Sequence, residues 1–498
     1  MGVEVFRRRA SGLVREASLL DTFALGFLNQ GLALCFWFYH SWQIYCWPRG
    51  DLVVSSIIAG VWCAVGYALV WGLLGAAMPR SGGSYIYVSR IINPFVGLAV
   101  SFFNGFFVPC AWLWTLGPYY ASPGLTAIFG ALGMRKLVDW CLRPFSMWII
   151  SVIAIIFGYI LGIFPLRVYN KVQRVFLVLA LITTVATMCV YVPHSVNDFI
   201  AAWNAAAAKY NSLSYHEMIE AVKATGFEVP STTNWRDTFA LAVTGHSWWA
   251  TYGFIITFIC GEVKSPRRNV LLGQTLAVIV PTIEIALLGY GLQHCLGREF
   301  LVAAAYVDTM GELEGYNMPF LPNYFTIGPY LWVKNVALRV FMATSLLWST
   351  LLWMPMQFLS LPRATFAWSM DRLGPKWFAD LHPKFGTPVK TCTLAFGIAI
   401  VGITLFLFEP RFAWFMGATA VSFGQFLFPW MIVSITCMIF PYRKKVRDIW
   451  EAAPAKWHIG PIYIHTIAGL LNLLYVICGA YYFLTCPELG ATWQLWIP

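Results

Sequence analysis

The stretch SLLDTFALGFLNQGLALCFWF, residues 18–38, decides the fold, because it is long and apolar enough to cross a bilayer yet carries a polar interruption halfway. Asn29 and Gln30 stand beside Gly31, so two amide side chains and a helix-breaking residue fall near the membrane midplane. Polar amides at that depth are costly unless other groups of the protein bond to them. The pattern predicts a transmembrane helix that is interrupted at residues 29–31.

A second stretch of the same character is DTFALAVTGHSWWATYGFIITFICGEV, residues 237–263. Its middle, from Thr244 to Gly253, combines small, hydroxyl-bearing and aromatic residues where a lipid-facing helix would carry aliphatic ones. Interrupted helices at corresponding positions of two chain halves are typical of transporters, in which the half-helix ends bind the substrate and its coupling ion. For each glycine taken alone, the alternative is close packing between helices.

The rest of the 498-residue chain is equally apolar. Hydrophobic residues make up 59% and charged residues 11%, against about 25% charged residues in a soluble domain. This composition excludes a soluble globule, and the backbone of a spanning run must be helical because lipid offers it no hydrogen bonds. We therefore predict an all-α polytopic membrane protein with eleven spans, at residues 18–45, 52–78, 94–119, 145–163, 171–193, 237–262, 269–293, 331–358, 391–408, 412–440 and 462–484.

The charges predict the orientation of the chain in the membrane. With a cytoplasmic N terminus, most of the 33 Lys and Arg residues fall in cytoplasmic connectors, whereas acidic residues gather in two long outer loops, 194–236 and 294–330. We expect a cell-membrane protein with an outer C terminus and no cleaved signal peptide. The basic residues form short clusters between apolar runs, which indicates contact with lipid headgroups and not with nucleic acid.

The twelve cysteines lie mostly inside apolar runs, without the spacing of a metal site, and are interpreted as small core residues. Four of them lie near outer span ends, so a disulfide remains open there; these are Cys46, Cys141, Cys295 and Cys486. Both outer loops are expected to contain short helices, with Gly226 ending one of them. Such loops serve as lids or partner surfaces, or simply pack on the bundle.

Three cytoplasmic segments resemble those of the amino acid–polyamine–organocation permeases. They are MPRSGGSYIYVSR (78–90), GEVKSPRRN (261–269) and SLPRATFAWSMDRLGPKWFADLHPKFGTPVK (360–390). They occur in the family's order and on one membrane side, and LLDTFALG at the start of span 1 also fits. The resemblance covers about residues 16–440. It implies the leucine-transporter-type fold, an inverted five-plus-five helix repeat with discontinuous helices 1 and 6.

The resemblance also implies a division of the chain. Residues 1–17 would be a cytoplasmic tail, 18–193 the first repeat, 237–440 the second repeat, 441–461 a basic cytoplasmic loop and 462–498 an extra helix with an outer tail. Two departures stand out: NQGLA lacks the glycine-rich breaker of many members, and the usual twelfth helix is absent.

By this resemblance, the substrate's carboxylate would meet backbone N–H groups in span 1 and its amino group carbonyls in span 6. The implied substrate-binding residues are Asn29, Gln30, Gly31, Leu32, Trp249, Ala250, Thr251, Tyr252 and Gly253. Trp248, Trp249 and Tyr252 would shape the side-chain pocket. The broken helices carry no Asp or Glu that would select a cationic side chain, which favours neutral or aromatic substrates over cationic ones.

The coupling ion is expected to be Na⁺ or H⁺, and no other cofactor or metal is expected. Span 5 lacks the Lys that proton-coupled relatives can carry, whereas span 8 offers hydroxyls suited to a hard cation: Thr344, Ser345, Ser349 and Thr350. Their alternative role is back-bonding to the preceding helical turn. Glu284 in span 7 is a carboxyl that could carry a proton. A uniporter or an exchanger is equally compatible.

An inner gate is predicted from the cytoplasmic motifs. Ser81, Gly82 and Gly83 fit a tight turn after span 2, and Glu262 stands beside a basic cluster suited to ion pairs between loops. The gate residues are Arg80, Ser81, Gly82, Gly83, Glu262, Arg267 and Arg268. The alternative for the basic residues is ordinary anchoring at the cytoplasmic membrane surface.

The predicted function is secondary transport of an amino acid or related small amine by alternating access. A membrane enzyme is disfavoured, because the eight His form no paired ligand set and no nucleophile or haem motif occurs. A permease-like subunit whose outer loops bind a protein partner is the alternative.

Overall fold

The computed structural model describes residues 13–30, 32–244, 250–324, 326–412 and 428–486. Over these ranges the chain is mostly helical, and its two strands, His458–Ile459 and Ile462–Tyr463, form a short antiparallel hairpin before the last span. The prediction of an all-α polytopic membrane protein is confirmed. Among the described residues, nine helical stretches are long and apolar enough to cross a membrane: Leu19–Cys46, Leu52–Ala77, Pro94–Ala131, Pro144–Ile163, Leu166–Tyr191, Pro266–Leu296, Val336–Met370, Val389–Phe408 and Ile464–Thr485.

Two shorter apolar helices, Tyr252–Glu262 and Phe428–Tyr442, fall within the predicted spans 6 and 10. The first half of span 6 is the helix Trp235–Val243, while residues 245–249 and 413–427 lie outside the described ranges. Each of the eleven predicted runs therefore contains an apolar helix in the structure. The inverted relation between the two halves stays a prediction.

Span 1 is interrupted at the predicted position. Its first helix, Leu19–Asn29, ends with Gln30 as the C-cap, and the next helix, Leu32–His40, begins two residues later. At its start, Ser18 and Asp21 form a capping box. The Asp21 carboxylate accepts from Arg174 Nε at 2.7 Å, which fixes the first half of span 1 against span 5.

Span 3 is longer than predicted, because its helix continues past Tyr119 to Ala131. Two π-helical turns, Phe103–Phe107 and Tyr120–Leu125, interrupt it. In the second of these stretches Ser122 has extended backbone angles, with φ −132° and ψ 120°, so the helix is kinked directly before Pro123 and resumes as Thr126–Ala131. Span 2 contains a π-helical turn at Ala64–Ala68.

Span 8 also consists of several pieces, and short helices lie before and after several spans. Span 8 comprises Val336–Ala343, Ser345–Thr350 and Trp353–Met370. The helices between spans are Ser84–Ile91, Arg135–Cys141, Val196–Tyr210, Tyr215–Ala224, Arg298–Met310, Ile327–Trp332, Lys376–Ala379, Lys444–Val446 and Arg447–Glu451.

The two outer loops are folded, as the sequence predicts. Val196–Tyr210 and Tyr215–Ala224 occupy the first loop, and Gly226 follows with a φ of 85° that favours glycine. The ring of Phe300, from the second loop, lies 4.8 Å from that of Trp203 in the first. The loops therefore pack against each other.

The disulfide left open by the sequence does not form. All twelve cysteines lie in the described ranges, and all are free thiols, most of them buried in the bundle. This agrees with the interpretation of these residues as small core side chains.

Candidate functional site

The interruptions in spans 1 and 6 lie in direct contact. Asn29 Nδ2 donates to the carbonyl oxygen of Tyr252 at 2.5 Å, with both groups buried. The neighbouring Gln30 Nε2 donates to the carbonyl oxygen of Ala277 at 2.5 Å, which brings span 7 to the same place. Predicted residues that are far apart in the sequence are thus joined at one point of the bundle.

The second half of span 6 is an 11-residue 3₁₀ helix, Tyr252–Glu262, and nearly all of it is buried. Runs of this geometry longer than three or four residues are uncommon, and within a longer helix they often mark a hinge. Span 2 bonds to the first turn of this 3₁₀ helix, since the Phe254 N–H donates to Tyr67 Oη at 3.1 Å. Its backbone is therefore held by other elements.

The predicted turn after span 2 also bonds to this 3₁₀ helix. The N–H groups of Gly82 and Gly83 donate to the carbonyls of Phe258 and Thr257 at 3.2 and 3.3 Å. The φ angles of these two glycines are 129° and 59°, and a Cβ at Gly83 would lie 2.8 Å from the Phe258 ring. Glycine is required here by backbone conformation and by the close approach of span 6.

Between the two interruptions lies a central cavity of about 10 Å³. This is about the space of one water molecule, so the structure is closed around the site. Four spans contribute aromatic or polar side chains to it. The lining residues are Asn29, Val108, Pro109, Trp112, Tyr252, Phe254, Ile255, Gln357 and Ser360.

Three aromatic rings fill this position. Tyr252 lies edge-on to Trp112 and Trp353, with ring centroids 5.8 and 5.7 Å apart, and the two Trp rings stack at 5.3 Å. The sequence analysis anticipated Tyr252 but not the two Trp residues of spans 3 and 8. In an apolar span, a Trp that faces a site has the same sequence signature as one that faces the core.

Several buried amide atoms at the interruptions have no hydrogen-bond partner among the described residues. They are Asn29 Oδ1, Gln30 Oε1, and both Gln274 Oε1 and Gln274 Nε2. The Gln274 amide lies beside span 6, since a Cβ at Gly253 would lie 2.9 Å from Gln274 Oε1. Buried polar groups are normally satisfied, so these amides are available to water or to a polar solute. Gln274 was missed by the sequence analysis.

The other predicted substrate residues divide into two groups. Ala250 and Thr251 are buried directly before Tyr252, and Leu32 begins the second helix of span 1. Gly31, Trp248 and Trp249 lie outside the described residues.

Three of the span 8 hydroxyls donate to their own helix. Thr344 Oγ1 donates to Phe341 O at 2.5 Å, and Thr350 donates to Leu346 O. Ser349 Oγ donates to Leu346 O and accepts from the Ala33 N–H, both at 3.2 Å, which joins span 8 to span 1. Ser345 Oγ is buried with no partner among the described residues. Back-bonding thus occurs here, and a cation site stays a prediction.

Glu284 is buried in span 7. Its Oε2 has no hydrogen-bond partner in the described part of the chain. An ion pair to this carboxyl is likewise absent among the described residues.

At the predicted inner gate lies a buried ion pair, of which only Glu262 was predicted from the sequence. Glu262 pairs with Arg363 of span 8, which donates through Nε at 2.6 Å and through a terminal nitrogen at 2.8 Å. Both side chains are almost fully buried. Arg267 and Arg268 are exposed, and neither forms an ion pair with the described residues. Glu262 therefore pairs across the bundle and not with its own basic cluster.

The chain before span 1 also closes over this end of span 6. The N–H groups of Glu16 and Ala17 donate to the Glu262 carbonyl at 2.8 and 3.0 Å, and the Lys264 N–H donates back to Ala17 O at 2.8 Å. Ser81 Oγ reaches the Glu262 carboxylate at 3.4 Å. Four segments thus meet at Glu262.

Asp308 connects the outer loops to span 1. Its carboxylate accepts from Trp37 Nε1 and Ser41 Oγ, both at 2.5 Å, and from Asn323 Nδ2 at 3.2 Å. Burial raises the pKa of Asp308 although these three donors oppose the shift. An outer cavity of about 450 Å³ lies beside it.

Comparison with known proteins gives two matches. The family described as "Amino acid permease" matches residues 48–498. The "Cationic amino acid transporter 7, chloroplastic" of Arabidopsis thaliana is 24% identical over 222 residues, which cover 41% of this chain and 35% of that protein. The chain thus spans about a third of the length of that relative.

Proposed function

The chain belongs to the amino acid permease family, and from this membership we propose that it carries an amino acid or a related small amine across a membrane as a secondary transporter. One observation carries the proposal: the interrupted stretches of spans 1 and 6 meet at a closed cavity lined by Asn29 and Tyr252. Half-helix ends that face each other supply N–H donors to an anion and carbonyls to a cation. An α-amino acid has both charges.

The substrate would bind between these two stretches. Its carboxylate would accept from N–H groups at the start of the second helix of span 1, around Leu32. Its amino group would donate to carbonyls of residues 250–253, beside the Asn29 amide. The unsatisfied Gln30 and Gln274 amides lie close enough to complete this polar shell. Binding would require the rings of Trp112 and Trp353 to move apart, since the closed cavity holds no more than a water molecule.

The aromatic lining supports neutral or aromatic side chains. No Asp or Glu lines the central cavity among the described residues, so a cationic side chain would have no carboxylate partner there. Cationic substrates are the second candidate, because the Arabidopsis relative is named for them and an aromatic face attracts a cation.

Transport would proceed by alternating opening of the two sides. The inner side opens when Glu262 separates from Arg363 and the segment before span 1 leaves the Glu262 carbonyl. A proton on Glu284, or Na⁺ at the span 8 hydroxyls Ser345 and Ser349, would couple the cycle to an ion gradient. An exchanger or a uniporter would use neither the proton nor Na⁺.

Uptake of a panel of labelled amino acids by the purified protein in sealed vesicles tests the proposal. Imposed proton and Na⁺ gradients distinguish the two coupling ions. We expect saturable uptake of at least one neutral or aromatic amino acid, with competition by lysine reporting on the cationic alternative. Ligand-induced thermal stabilisation identifies binding independently of transport. Stabilisation without uptake would favour the permease-like subunit, and neither effect with any amino acid or amine would contradict the proposed function.

A further inference from the structure

The outer cavity beside Asp308 contains a buried carboxylate among aromatic rings. Its volume is about 450 Å³, which is within the size range of small-molecule sites. The second half of span 1, the kink of span 3, the start of span 4 and the second outer loop surround it, and it shares no lining residue with the central cavity. Its aromatic and polar lining includes Trp37, Phe38, Trp42, Tyr119, Asp308 and Thr309.

The Asp308 carboxylate is held in place by hydrogen bonds, but its charge is not balanced. Its three donors, Trp37, Ser41 and Asn323, are neutral groups. No Lys, Arg or His lines the cavity among the described residues, and within the same part of the chain Asp308 forms no ion pair. The side chain is only 5% exposed. Since a buried charge is costly without a counter-charge, this carboxylate favours a cation in the cavity.

The carboxylate also has room for one more hydrogen bond. Two of its three donors bond to Oδ2, whereas Oδ1 accepts only from Asn323, at 3.2 Å. A carboxylate offers about four acceptor positions, so Oδ1 can accept from a ligand. The next residue, Thr309, adds a hydroxyl at the cavity that is buried without a hydrogen-bond partner among the described residues.

A continuous group of aromatic rings forms the wall beside this carboxylate. The Phe38 ring lies 5.0 Å from that of Tyr119, 5.1 Å from that of Trp37 and 5.8 Å from that of Trp42. Aromatic faces attract organic cations, and Trp does so most strongly. A hard metal cation prefers several oxygen ligands, which this largely aromatic wall does not offer.

We propose that the outer cavity binds an organic ammonium group, carried either by a soluble amine or by the choline headgroup of a phospholipid. The Asp308 carboxylate would balance its charge, and the rings of Trp37 and Trp42 would contact its carbon substituents. A cationic group finds no carboxylate in the lining of the central cavity among the described residues, whereas it finds one here. This inference goes beyond the proposed function, because binding at this cavity requires no transport.

Thermal unfolding of the purified protein in maltoside micelles tests the binding of a soluble amine. Choline is the probe, and dimethylbutanol, in which carbon replaces the ammonium nitrogen, is its neutral analogue of the same shape. Na⁺ concentration and ionic strength are kept constant. We expect choline to raise the melting midpoint by a few degrees in a saturable manner, and the neutral analogue to have no saturable effect.

A second arm tests the lipid headgroup. Short-chain phosphatidylcholine or phosphatidylglycerol is added to the same micelles at equal concentration. A rise of the midpoint with free choline shows that a soluble amine is sufficient. A rise with phosphatidylcholine, but with neither choline nor phosphatidylglycerol, identifies the headgroup as the ligand.

Variants locate the site. Asp308→Asn should abolish the response, whereas Glu228→Gln, which removes an exposed carboxylate of the first outer loop outside the cavity, should retain it. Trp42→Leu should raise the half-saturating ligand concentration several-fold, and Trp42→Phe should raise it less, because phenylalanine keeps an aromatic face. Trp42 is only partly buried, so this second pair tests the site even if Asp308→Asn does not fold.

Three results would overturn the proposal: no saturable response to choline or phosphatidylcholine, an equal response to the neutral analogue, or an unchanged response in folded Asp308→Asn or Trp42→Leu protein. None of them bears on amino acid uptake, which is measured separately. A failure of the ammonium site is therefore distinguishable from a failure of the proposed transport function.

Discussion

At the scale of single residues, the Glu262–Arg363 ion pair has the largest expected effect on stability. Both side chains are at most 4% exposed, so removing one partner leaves an uncompensated charge in the bundle. We expect Arg363→Gln or Glu262→Gln to destabilise the protein by about 3–5 kcal/mol. Unfolding in detergent measures this loss.

The matched control for this pair is Lys390→Gln, which breaks the exposed Lys390–Asp380 pair. Such a surface pair contributes about 0–1 kcal/mol. The double variant Glu262→Gln with Arg363→Gln should recover part of the loss, because two amides can bond to each other without buried charge. Equal effects of the Lys390 and Arg363 variants would contradict the assigned role of the buried pair.

Alanine substitutions at two glycines near the interruptions are expected to have different effects. At Gly253 the new Cβ would lie 2.9 Å from Gln274 Oε1, the end of a flexible side chain that can move away. At Gly26 it would lie 2.8 Å from Ala277 Cβ and 2.9 Å from Ile256 Cδ1, both in packed helices. We expect Gly253→Ala to fold normally but bind substrate weakly, and Gly26→Ala to lose about 1–3 kcal/mol of stability.

Melting curves and ligand-induced stabilisation separate these two effects. Unchanged binding by a folded Gly253→Ala protein would show that the Gln274 amide and the span 6 backbone have no part in the site.

Asp308 predicts a pH dependence of stability. Because its pKa is raised by burial, the folded protein takes up this proton at a higher pH than the unfolded chain, whose value is near 3.8. Its contribution to stability therefore falls as pH rises from about 3.8 through the raised pKa. In Asp308→Asn this fall is absent, since the amide cannot ionise.

The melting midpoint of Asp308→Asn minus that of the unmodified protein should thus increase with pH across this window and then level off. Comparing the two proteins cancels the contributions of Asp198 and Glu217, whose pKa values are lowered by their capping serines. A difference that is constant with pH, or that decreases, would be incompatible with a raised pKa.

The sequence indicates residues whose chemistry is unusual for their surroundings, and it does not indicate their partners. Asn29 and Gln30 are conspicuous because amides are costly at the membrane midplane. Arg363 lies in the charged segment 360–390, so nothing in the sequence distinguishes its buried guanidinium from the exposed basic residues of that segment. Trp353 and Gln274 were missed for the same reason: the site is made by contacts between residues of different spans.

At the scale of elements, the 3₁₀ helix Tyr252–Glu262 depends on bonds from other helices. The Phe254 N–H is paired with Tyr67 Oη, so Tyr67→Phe leaves a buried donor without a partner. We expect a loss of about 1–3 kcal/mol and faster hydrogen exchange at the start of this helix. Exchange measured by mass spectrometry on peptides from residues 250–262 checks the prediction.

Tyr120→Phe is the matched control for this element. It removes a hydroxyl that donates to the Thr350 carbonyl at 3.0 Å, in span 8 and not in span 6. It should leave exchange in residues 250–262 unchanged. If both variants accelerate exchange there equally, the tyrosine of span 2 has no specific role in holding the broken helix.

The bounds of a helix were predicted well where hydrophobicity alone determines them, and poorly where a further helix follows a kink. The bounds of span 4, Pro144–Ile163, differ from the prediction by one residue at its start. The helical stretch of span 3 ends twelve residues later than predicted, because a short helix, Thr126–Ala131, follows a kink at Ser122. Proline marks this kink as expected, but hydropathy alone does not show that a helix resumes directly after it.

At the scale of the whole molecule, the bilayer makes the fold class predictable. Every backbone group in the hydrocarbon must be bonded internally, so apolar runs of this length fold as helices whatever their detailed sequence. Their mutual arrangement is set by pairs such as Asp21–Arg174 and Glu262–Arg363, which join distant parts of the chain. The order of the helices follows from hydropathy, whereas their packing follows from these contacts.

The charge distribution also predicts on which side of the membrane each connector lies, and two surface positions can test it. Glu220 lies in the first outer loop and Arg447 in the basic loop before the last span, and both side chains are more than half exposed. Five predicted spans separate them, and an odd number places them on opposite sides. In intact cells, a membrane-impermeant maleimide should therefore label Glu220→Cys. It should label Arg447→Cys only after the cells are permeabilised. Labelling of the unmodified protein measures the background. The reverse pattern would invert the orientation, whereas labelling of both sites from one side would mean that one of the five runs does not cross.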